Sequence, residues 1–157
     1  HMTVADNMGF ALKIAGTPKD EIRKRVEKAA EILDLTEYLD RKPKALSGGQ
    51  RQRMAIARAV VKKPEIYLFD DSFSALDVKT DKTLRMRLRE SMGDSTMLIV
   101  AQRVGSILDA DRILVMEDGQ IVGRGKHREL LHTCPLYREI AELQLGEEEV
   151  KHELECV

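Results

Sequence analysis

The sequence predicts an α/β fold with a mainly parallel sheet, preceded by a separate helical unit. Two short apolar runs, Ile66–Phe69 and Thr96–Val100, have the length and β-forming composition of buried strands. Helical patterns stand before, between and after these runs, and strands that alternate with helices are typical of parallel α/β sheets. Residues 1–45 contain no such run, so we expect them to form an all-helical unit.

Cap residues and prolines mark the helices of the first half. Thr3 caps a helix that runs to about Leu12, and Pro18 opens a second helix whose apolar residues recur at helical spacing. Ser47 is a good N-cap for a third helix, which Pro64 closes.

The second half contains a further helix, a strand, a returning strand across a turn, and two more helices. In chain order these are predicted at Lys79–Met92, Arg112–Met116, Gln120–Val122, His127–His132 and Pro135–Leu145.

Composition excludes several classes of function. The net charge of −1 gives no argument for nucleic acid, and an aromatic content of 4% without Trp gives no base-stacking platform. No apolar run approaches the roughly 18–20 residues of a membrane span. Two cysteines, Cys134 and Cys156, are too few for a disulfide framework and indicate free thiols in a reducing compartment.

The segment Leu46–Arg53 places two glycines directly after a serine N-cap. A helix that begins in this way leaves backbone N–H groups uncovered at an end of positive potential, which accepts an anion. The hydroxyl of Ser47 adds a donor. On these residues alone, an ordinary capped helix with a glycine-rich lead-in is the simpler interpretation.

Together with Ala55–Ala59, this segment resembles the signature motif of ABC-transporter ATPase domains. The resemblance implies a partial P-loop NTPase (RecA-like) core with an N-terminal α-helical subdomain. It also implies that Ser47, Gly48, Gly49 and Gln50 contact ATP held by a second ABC ATPase subunit, so that family function requires a dimer.

Asp70 and Asp71 follow the first apolar strand, at the strand end where α/β proteins place ligand sites. Four apolar residues and then Asp resemble the Walker B motif, which implies that Asp70 holds Mg²⁺, usually through water. The family usually has a glutamate, as general base, where this chain has Asp71. Its carboxylate lies one methylene, about 1.5 Å, further back, so we expect weak or absent hydrolysis at this site. That Asp71 suffices is the open alternative.

Ser74–Asp77 resembles the D-loop, which implies that Asp77 helps to position the opposite site across the dimer interface. Asp77 is also placed to cap the next helix, and one loop can do both. Gln102 stands where the family usually has a histidine that contacts the γ-phosphate. Glutamine donates a hydrogen bond but carries no charge. Asp71 and Gln102 together resemble the degenerate half of heterodimeric ABC exporters.

The 157 residues contain no G-x-x-x-x-G-K-[ST] segment, which would cradle the phosphates of a nucleotide. The Gly125-Lys126 pair is followed by His127, which does not fit that pattern. ATP and Mg²⁺ are therefore expected only in a complete dimeric or complemented assembly, and the isolated chain is expected to be inactive.

Three segments are predicted. Residues 1–45 resemble the helical subdomain of sugar-importer ATPases, which implies docking on the transmembrane domain of a transporter. Residues 46–145 carry the signature helix, Walker B and switch region, and from Lys63 onward they resemble an exporter half. Residues 146–157 are an acidic tail that we expect to be disordered. Natural recombination and an engineered chimera are both open explanations of the mixed resemblance.

Three interpretations of function follow. The chain is a partial ATP-binding subunit, a non-catalytic interaction module, or a folding or design object without selected activity. As a transporter part it is expected to be cytoplasmic and peripheral on the inner face of the membrane.

Overall fold

The computed structural model describes residues 1–74 and 76–155, which fall into two compact units, His1–Val100 and Ala101–Val157. The boundary expected near residue 45 lies inside the first unit, and it stays a prediction about subdivision within that unit. Each unit has its own apolar core.

In its described residues, 1–74 and 76–100, the first unit contains four α-helices, two strands and two short 3-10 segments. In chain order they are α1 (Val4–Ile14), α2 (Lys19–Ile32), 3-10 turns at Thr36–Tyr38 and Pro43–Ala45, α3 (Gly48–Val60), β1 (Ile66–Asp70), α4 (Val78–Met92) and β2 (Thr96–Val100). Three helices begin at the caps that their sequence indicates. Thr3 and Ser47 each close a capping box, and the Asp77 side chain accepts a hydrogen bond from the Thr80 amide.

Strands β1 and β2 form the parallel pair that the alternation of helices and strands predicts. They pair from Ile66 opposite Thr96 to Asp70 opposite Val100. One face of β1 is buried through Tyr67 and Phe69. The other face of the pair is apolar and exposed. Its members are between 51% and 66% exposed, and they are Ile66, Leu68, Leu98 and Val100.

The core of the first unit is one continuous cluster that joins α1 to α4. Its largest fully buried side chains include Met8, Leu33 and Leu88. Helices α1 and α2 approach closely at Gly9, where an added Cβ would lie 2.6 Å from Cγ2 of Ile22. A side chain at Gly9 would therefore force Ile22, or the helix that carries it, to shift.

Over residues 101–155, the second unit is a β-hairpin packed with three α-helices. The elements are a 3-10 turn at Val104–Ser106, β3 (Ile113–Glu117), β4 (Gln120–Gly125), α5 (His127–Thr133), α6 (Pro135–Leu145) and α7 (Glu147–Glu155). The hairpin turns at Asp118 and Gly119, whose φ angles are both positive at 48° and 78°. Asp-Gly is a preferred pair for a two-residue hairpin turn with this backbone. The α/β class is confirmed, with a parallel pair in one unit and an antiparallel pair in the other.

The acidic tail differs from the expectation of disorder, because residues 147–155 form helix α7. Val150 is fully buried in the core of the second unit, and Leu154 packs against the same core. Three glutamates occupy the first turn of the helix, where negative charge is favourable. The sequence pattern did not predict this helix, because only two apolar residues, at positions i and i+4, anchor it to the core.

A partly buried polar triad links α5, α6 and α7. Nδ1 of His127 lies 2.8 Å from the hydroxyl of Tyr137, and Nε2 lies 2.7 Å from Oε2 of Glu153. Burial, with a smaller contribution from the charge of Glu153, raises the pKa of Tyr137 to about 12. The folded state thus favours the neutral phenol.

This raised pKa makes the fold sensitive to alkali. The stabilisation is complete below the ordinary pKa of 10.0 and is lost as the pH rises towards about 12. We expect the free energy of unfolding to decrease across that interval in urea titrations, and to decrease less for Tyr137→Phe. Tyr38→Phe, in the other unit, is the control. An identical pH dependence for wild type and Tyr137→Phe would contradict the assignment of the loss of stability in alkali to Tyr137.

Candidate functional site

The glycine-rich loop at the start of α3 is held by its own side chains. The amide of Gln50 donates to Oγ of Ser47 at 3.3 Å, and the amide of Ser47 donates to Oε1 of Gln50 at 2.8 Å. Nη1 of Arg51 donates to the carbonyl oxygen of Leu46 at 2.7 Å. The capping box uses acceptor atoms of Ser47 and Gln50, so their O–H and NH₂ groups keep the capacity to donate.

Gly48 is the first residue of α3 and is not required by the fold. A Cβ added there would meet nothing within 4 Å, and its φ lies outside the left-handed region. The bare backbone of Gly48 leaves open space at an exposed helix N-terminus, where an external anion can approach the N–H groups closely.

Asp70 ends β1 with its side chain exposed, on the same face of the strand as Leu68. Within residues 1–74 and 76–155, no group of three or more His, Cys, Asp or Glu side chains is placed to hold a metal ion. A single carboxylate fits Mg²⁺, which is commonly bound through one or two carboxylates, with phosphate oxygens and water as the other ligands. The residue is therefore suited to a metal that arrives with a phosphate ligand.

Asp71 has a left-handed backbone, with φ of 48°. Its amide donates to the carbonyl oxygen of Val100 at 3.2 Å, which ties the turn to the end of β2. Aspartate and asparagine adopt this backbone more readily than other side chains do. The left-handed backbone is thus a second reason for an aspartate at position 71. It stands beside the chemical reason, which is a general base shorter than the usual glutamate.

The start of α3 and the turn after β1 are joined by Gln52. Its Nε2 donates to the carbonyl oxygen of Asp71 at 3.2 Å and lies 3.4 Å from Oγ of Ser74. Ser74 in turn donates to the carbonyl oxygen of Asp71 at 3.0 Å. The structure therefore brings together the signature-like loop and the acidic strand end. Sequence reasoning missed Gln52, because nothing in its spacing indicates a partner 19 residues away.

Replacing Gln52 tests this connection. We expect Gln52→Glu to lower the free energy of unfolding by about 0.5–1.5 kcal/mol, because a carboxylate cannot donate to the Asp71 carbonyl. Urea denaturation of wild type and variant measures the difference. Gln120→Glu, on the exposed hairpin of the second unit, is the matched control. Equal stability of Gln52→Glu and wild type would show that the hydrogen bond from Gln52 does not stabilise the contact between α3 and the turn after β1.

Asp77 caps α4. Its Oδ1 accepts a hydrogen bond from the Thr80 amide at 3.0 Å. Hydrogen bonds from Thr80 chiefly lower the pKa of the Asp77 carboxyl, which is exposed. The helix-cap role that the sequence indicates is thus realised, and the carboxylate stays ionised at neutral pH.

Gln102 belongs to the second unit and is exposed, whereas the other candidate residues belong to the first. Its carbonyl oxygen accepts from Nε2 of Gln144 at 2.9 Å, and Oε1 of Gln144 accepts from the Val104 amide at 2.8 Å. One side chain on α6 therefore fixes the backbone that follows β2. Sequence reasoning also missed Gln144, since its bonds span about 40 residues.

Across residues 1–74 and 76–155, no helix combines the length and apolar character needed to cross a membrane.

Residues 1–74 match the family model described as ABC transporter. Curated relatives include the diacetylchitobiose uptake system ATP-binding protein MsiK of Streptomyces coelicolor, which is 54% identical over 122 residues. The oligosaccharides import ATP-binding protein MsmX of Bacillus subtilis is 48% identical over 124 residues. These matches cover 76% and 77% of this chain but 32% and 34% of the relatives. The chain thus spans about a third of their length.

Among solved structures, a bacterial Atm1-family ABC exporter with ATP bound matches this fold with a TM-score of 0.80 and 31% identity. That match covers 92% of this chain and 26% of the exporter chain. Because the match to MsiK covers 76% of this chain, it includes residues on both sides of Lys63.

Proposed function

We propose that this chain, which is part of an ABC transporter ATPase domain, completes an ATP site whose nucleotide is held by a second ABC ATPase subunit. The family uses ATP and Mg²⁺ and works as dimers with transmembrane domains. The loop from Ser47 to Gln50 contacts the γ-phosphate of the partner's nucleotide, and Asp77 lies at the same interface.

The observation that carries this proposal is Gly48. Neither packing nor backbone conformation within the chain requires a glycine there. A helix N-terminus without a covering side chain is a strong site for a phosphate group. We therefore infer that the glycine leaves room for a ligand that does not belong to this chain. The resemblance of the loop to the signature motif makes ATP the candidate ligand.

The chain also contributes to a site of its own, which we propose is weak. Asp70 would hold Mg²⁺ with its exposed carboxylate, usually through water, and the metal would neutralise charge on the phosphates. Asp71 orients the attacking water at a longer reach than the usual glutamate. Gln102 offers the γ-phosphate a neutral donor in place of the usual histidine. Aspartate in place of the usual glutamate and glutamine in place of the usual histidine both leave ATP binding possible. Both slow the hydrolysis of ATP at this site.

Residues outside these 157 supply the phosphate cradle, on the same polypeptide or on another. Besides the absent loop pattern, the exposed apolar face of the β1–β2 pair supports this. Parallel sheets are ordinarily covered on both faces, yet Ile66, Leu68, Leu98 and Val100 are more than half exposed. Completion of the ATPase core by further strands and helices would bury them.

The helical segment 1–45 is the proposed docking face for a transmembrane domain, which would hold the chain against the inner face of the membrane. Helix α1 presents apolar side chains for such contact, with Phe10 41% and Ile14 72% exposed. The curated relatives include ATP-binding proteins named for the uptake or import of diacetylchitobiose, oligosaccharides and sn-glycerol-3-phosphate, so a transport role is proposed without a single substrate.

Calorimetry with Mg-ATP tests the proposal. The isolated chain is expected to give no binding heat at millimolar nucleotide, and binding is expected once a complementing fragment with G-x-x-x-x-G-K-[ST] is added. Tight one-to-one binding with hydrolysis by the isolated chain would contradict the need for an external phosphate cradle.

The alternative is a non-catalytic interaction module or an engineered chimeric fragment. It is favoured by the same exposed apolar faces, which need no nucleotide in order to bind a partner. Association with a complementing fragment that is unchanged by Mg-ATP, and that yields no ATPase activity, would support this alternative.

A further inference from the structure

A largely buried charge pair lies on helix α4. Asp81 is 6% exposed, and its Oδ1 accepts a hydrogen bond from Nε of Arg85, one helical turn later. The Arg85 side chain is 17% exposed, whereas the side chains of the Arg87–Asp34 pair, also made by α4, are 44% and 58% exposed. A pair at i and i+4 supports a helix equally well at the surface, and burying it costs solvation. The burial of Asp81 and Arg85 therefore indicates a contact beyond the helix itself.

That contact is with Phe73, in the segment between β1 and α4. Cζ of Arg85 lies 4.0 Å from the centroid of the Phe73 ring, and Phe73 is 5% exposed. The Phe73 ring is also 5.3 Å from the Phe69 ring, which stacks on Tyr67 of the same strand at 5.9 Å. A planar guanidinium attracts an aromatic face in this arrangement, and more strongly away from water. Two elements, α4 and β1, therefore hold the Phe73 ring in place.

Phe73 lies between candidate carboxylates of the nucleotide sites. Asp71 precedes it by two residues and Asp77 follows it by four. Its carbonyl oxygen accepts from the Leu76 amide at 3.1 Å, and the Ser74 amide donates to the Asp71 carbonyl oxygen at 3.4 Å. These short-range bonds shape the turn locally, whereas the Phe73 ring belongs to the core and attaches the turn to the rest of the unit. A displaced ring would move the backbone on both sides of it.

We propose that Arg85 is a positioning residue for ATP hydrolysis. Oriented by Asp81, its guanidinium fixes the Phe73 ring, and the ring fixes the backbone between Asp71 and Asp77. The inference rests on the proposed function, in which both carboxylates serve ATP sites, and Arg85 acts on them only through Phe73. A displacement of about 1 Å in a reacting group can reduce turnover about 100-fold. Loss of this contact therefore slows hydrolysis while the chain stays folded.

Arg85→Lys removes the planar group and keeps the charge. The ammonium still pairs with Asp81 but has no flat face to lie on the Phe73 ring. In the complemented assembly we expect kcat to fall about tenfold. We expect KM for Mg-ATP to change less than about twofold, since the phosphate cradle lies outside these 157 residues. Arg87→Lys, the same change on the same helix in an exposed pair, is the matched control and is expected to keep full turnover.

A double variant tests the route through Phe73. Phe73→Leu keeps an apolar side chain in the core and removes the ring, so it is expected to lower kcat by itself. Adding Arg85→Lys to Phe73→Leu is then expected to lower kcat little further, because the contact is already absent. If the effects of the two changes on kcat instead multiplied, Arg85 would act by another route and the proposal would be overturned.

The backbone amide signals of Asp71 and Ser74 in the labelled chain give a readout that needs no nucleotide. Both are expected to shift in Arg85→Lys and to stay in place in Arg87→Lys, and thermal melts check that each variant is folded. Unmoved signals in Arg85→Lys would overturn the proposal, and so would equal kcat in Arg85→Lys and Arg87→Lys. A wild-type assembly without hydrolysis would instead contradict the proposed function, and the amide signals would still decide whether Arg85 positions this segment.

Discussion

Gly48→Asp is expected to reduce ATP hydrolysis by the assembled dimer about 100-fold or more while this chain stays folded. The new carboxylate would stand at the start of α3, where we propose that the partner's γ-phosphate lies, and it would set a like charge beside the backbone N–H donors. Within the chain the substitution meets open space. An acidic residue in the first turn of a helix is neutral or stabilising by up to about 1 kcal/mol.

Steady-state hydrolysis and thermal denaturation, measured on the same preparation, separate these two effects. Lys82→Asp, which also adds negative charge to an exposed helix face, is the control and is expected to keep full hydrolysis. If Gly48→Asp also left hydrolysis intact, the loop would be an ordinary capped helix start. A large loss of stability in Gly48→Asp would show that the fold does depend on this glycine.

Asp71→Glu combined with Gln102→His is expected to raise turnover at the chain's own site, in the complemented assembly, by about tenfold or more. General acid–base groups in the correct position contribute about 10²–10⁴-fold, and the native pair supplies part of that effect. The variant is also expected to lose about 1 kcal/mol of stability, because glutamate tolerates the left-handed backbone at φ of 48° less well than aspartate.

Single-turnover rates with the complemented assembly measure this change. Asp71→Asn with Gln102→His is the matched control, since asparagine keeps the backbone tolerance and removes the carboxylate. It is expected to be slower than the native pair. Unchanged rates in Asp71→Glu with Gln102→His would mean that Asp71 and Gln102 do not limit hydrolysis.

Local signals were sufficient to predict most helix and strand positions. Thr3, Ser47 and Asp77 each cap the helix that their position indicates. The Asp118-Gly119 pair turns the hairpin because both residues tolerate positive φ. These features depend on a few neighbouring residues, so the sequence contains their cause.

Features that depend on distant partners were not predictable in this way. Gln52 and Gln144 hold segments that are 19 and about 40 residues away, and nothing in the local pattern of a glutamine indicates such a bond. Helix α7 forms because Val150 is buried by helices that the tail itself does not contain. The left-handed backbone of Asp71 is likewise a product of the turn. The sequence alone suggested only a chemical reason for that aspartate.

The most direct test of the central claim is the backbone amide signal of Gly48 and Gly49 in a labelled sample of this chain. These signals are expected to shift on addition of an ABC ATPase partner loaded with Mg-ATP, and to stay in place with Mg-ATP alone or with a partner whose phosphate-loop lysine is replaced. Shifts caused by Mg-ATP alone would contradict the account, and so would sustained hydrolysis by the assembly without any shift at these two amides.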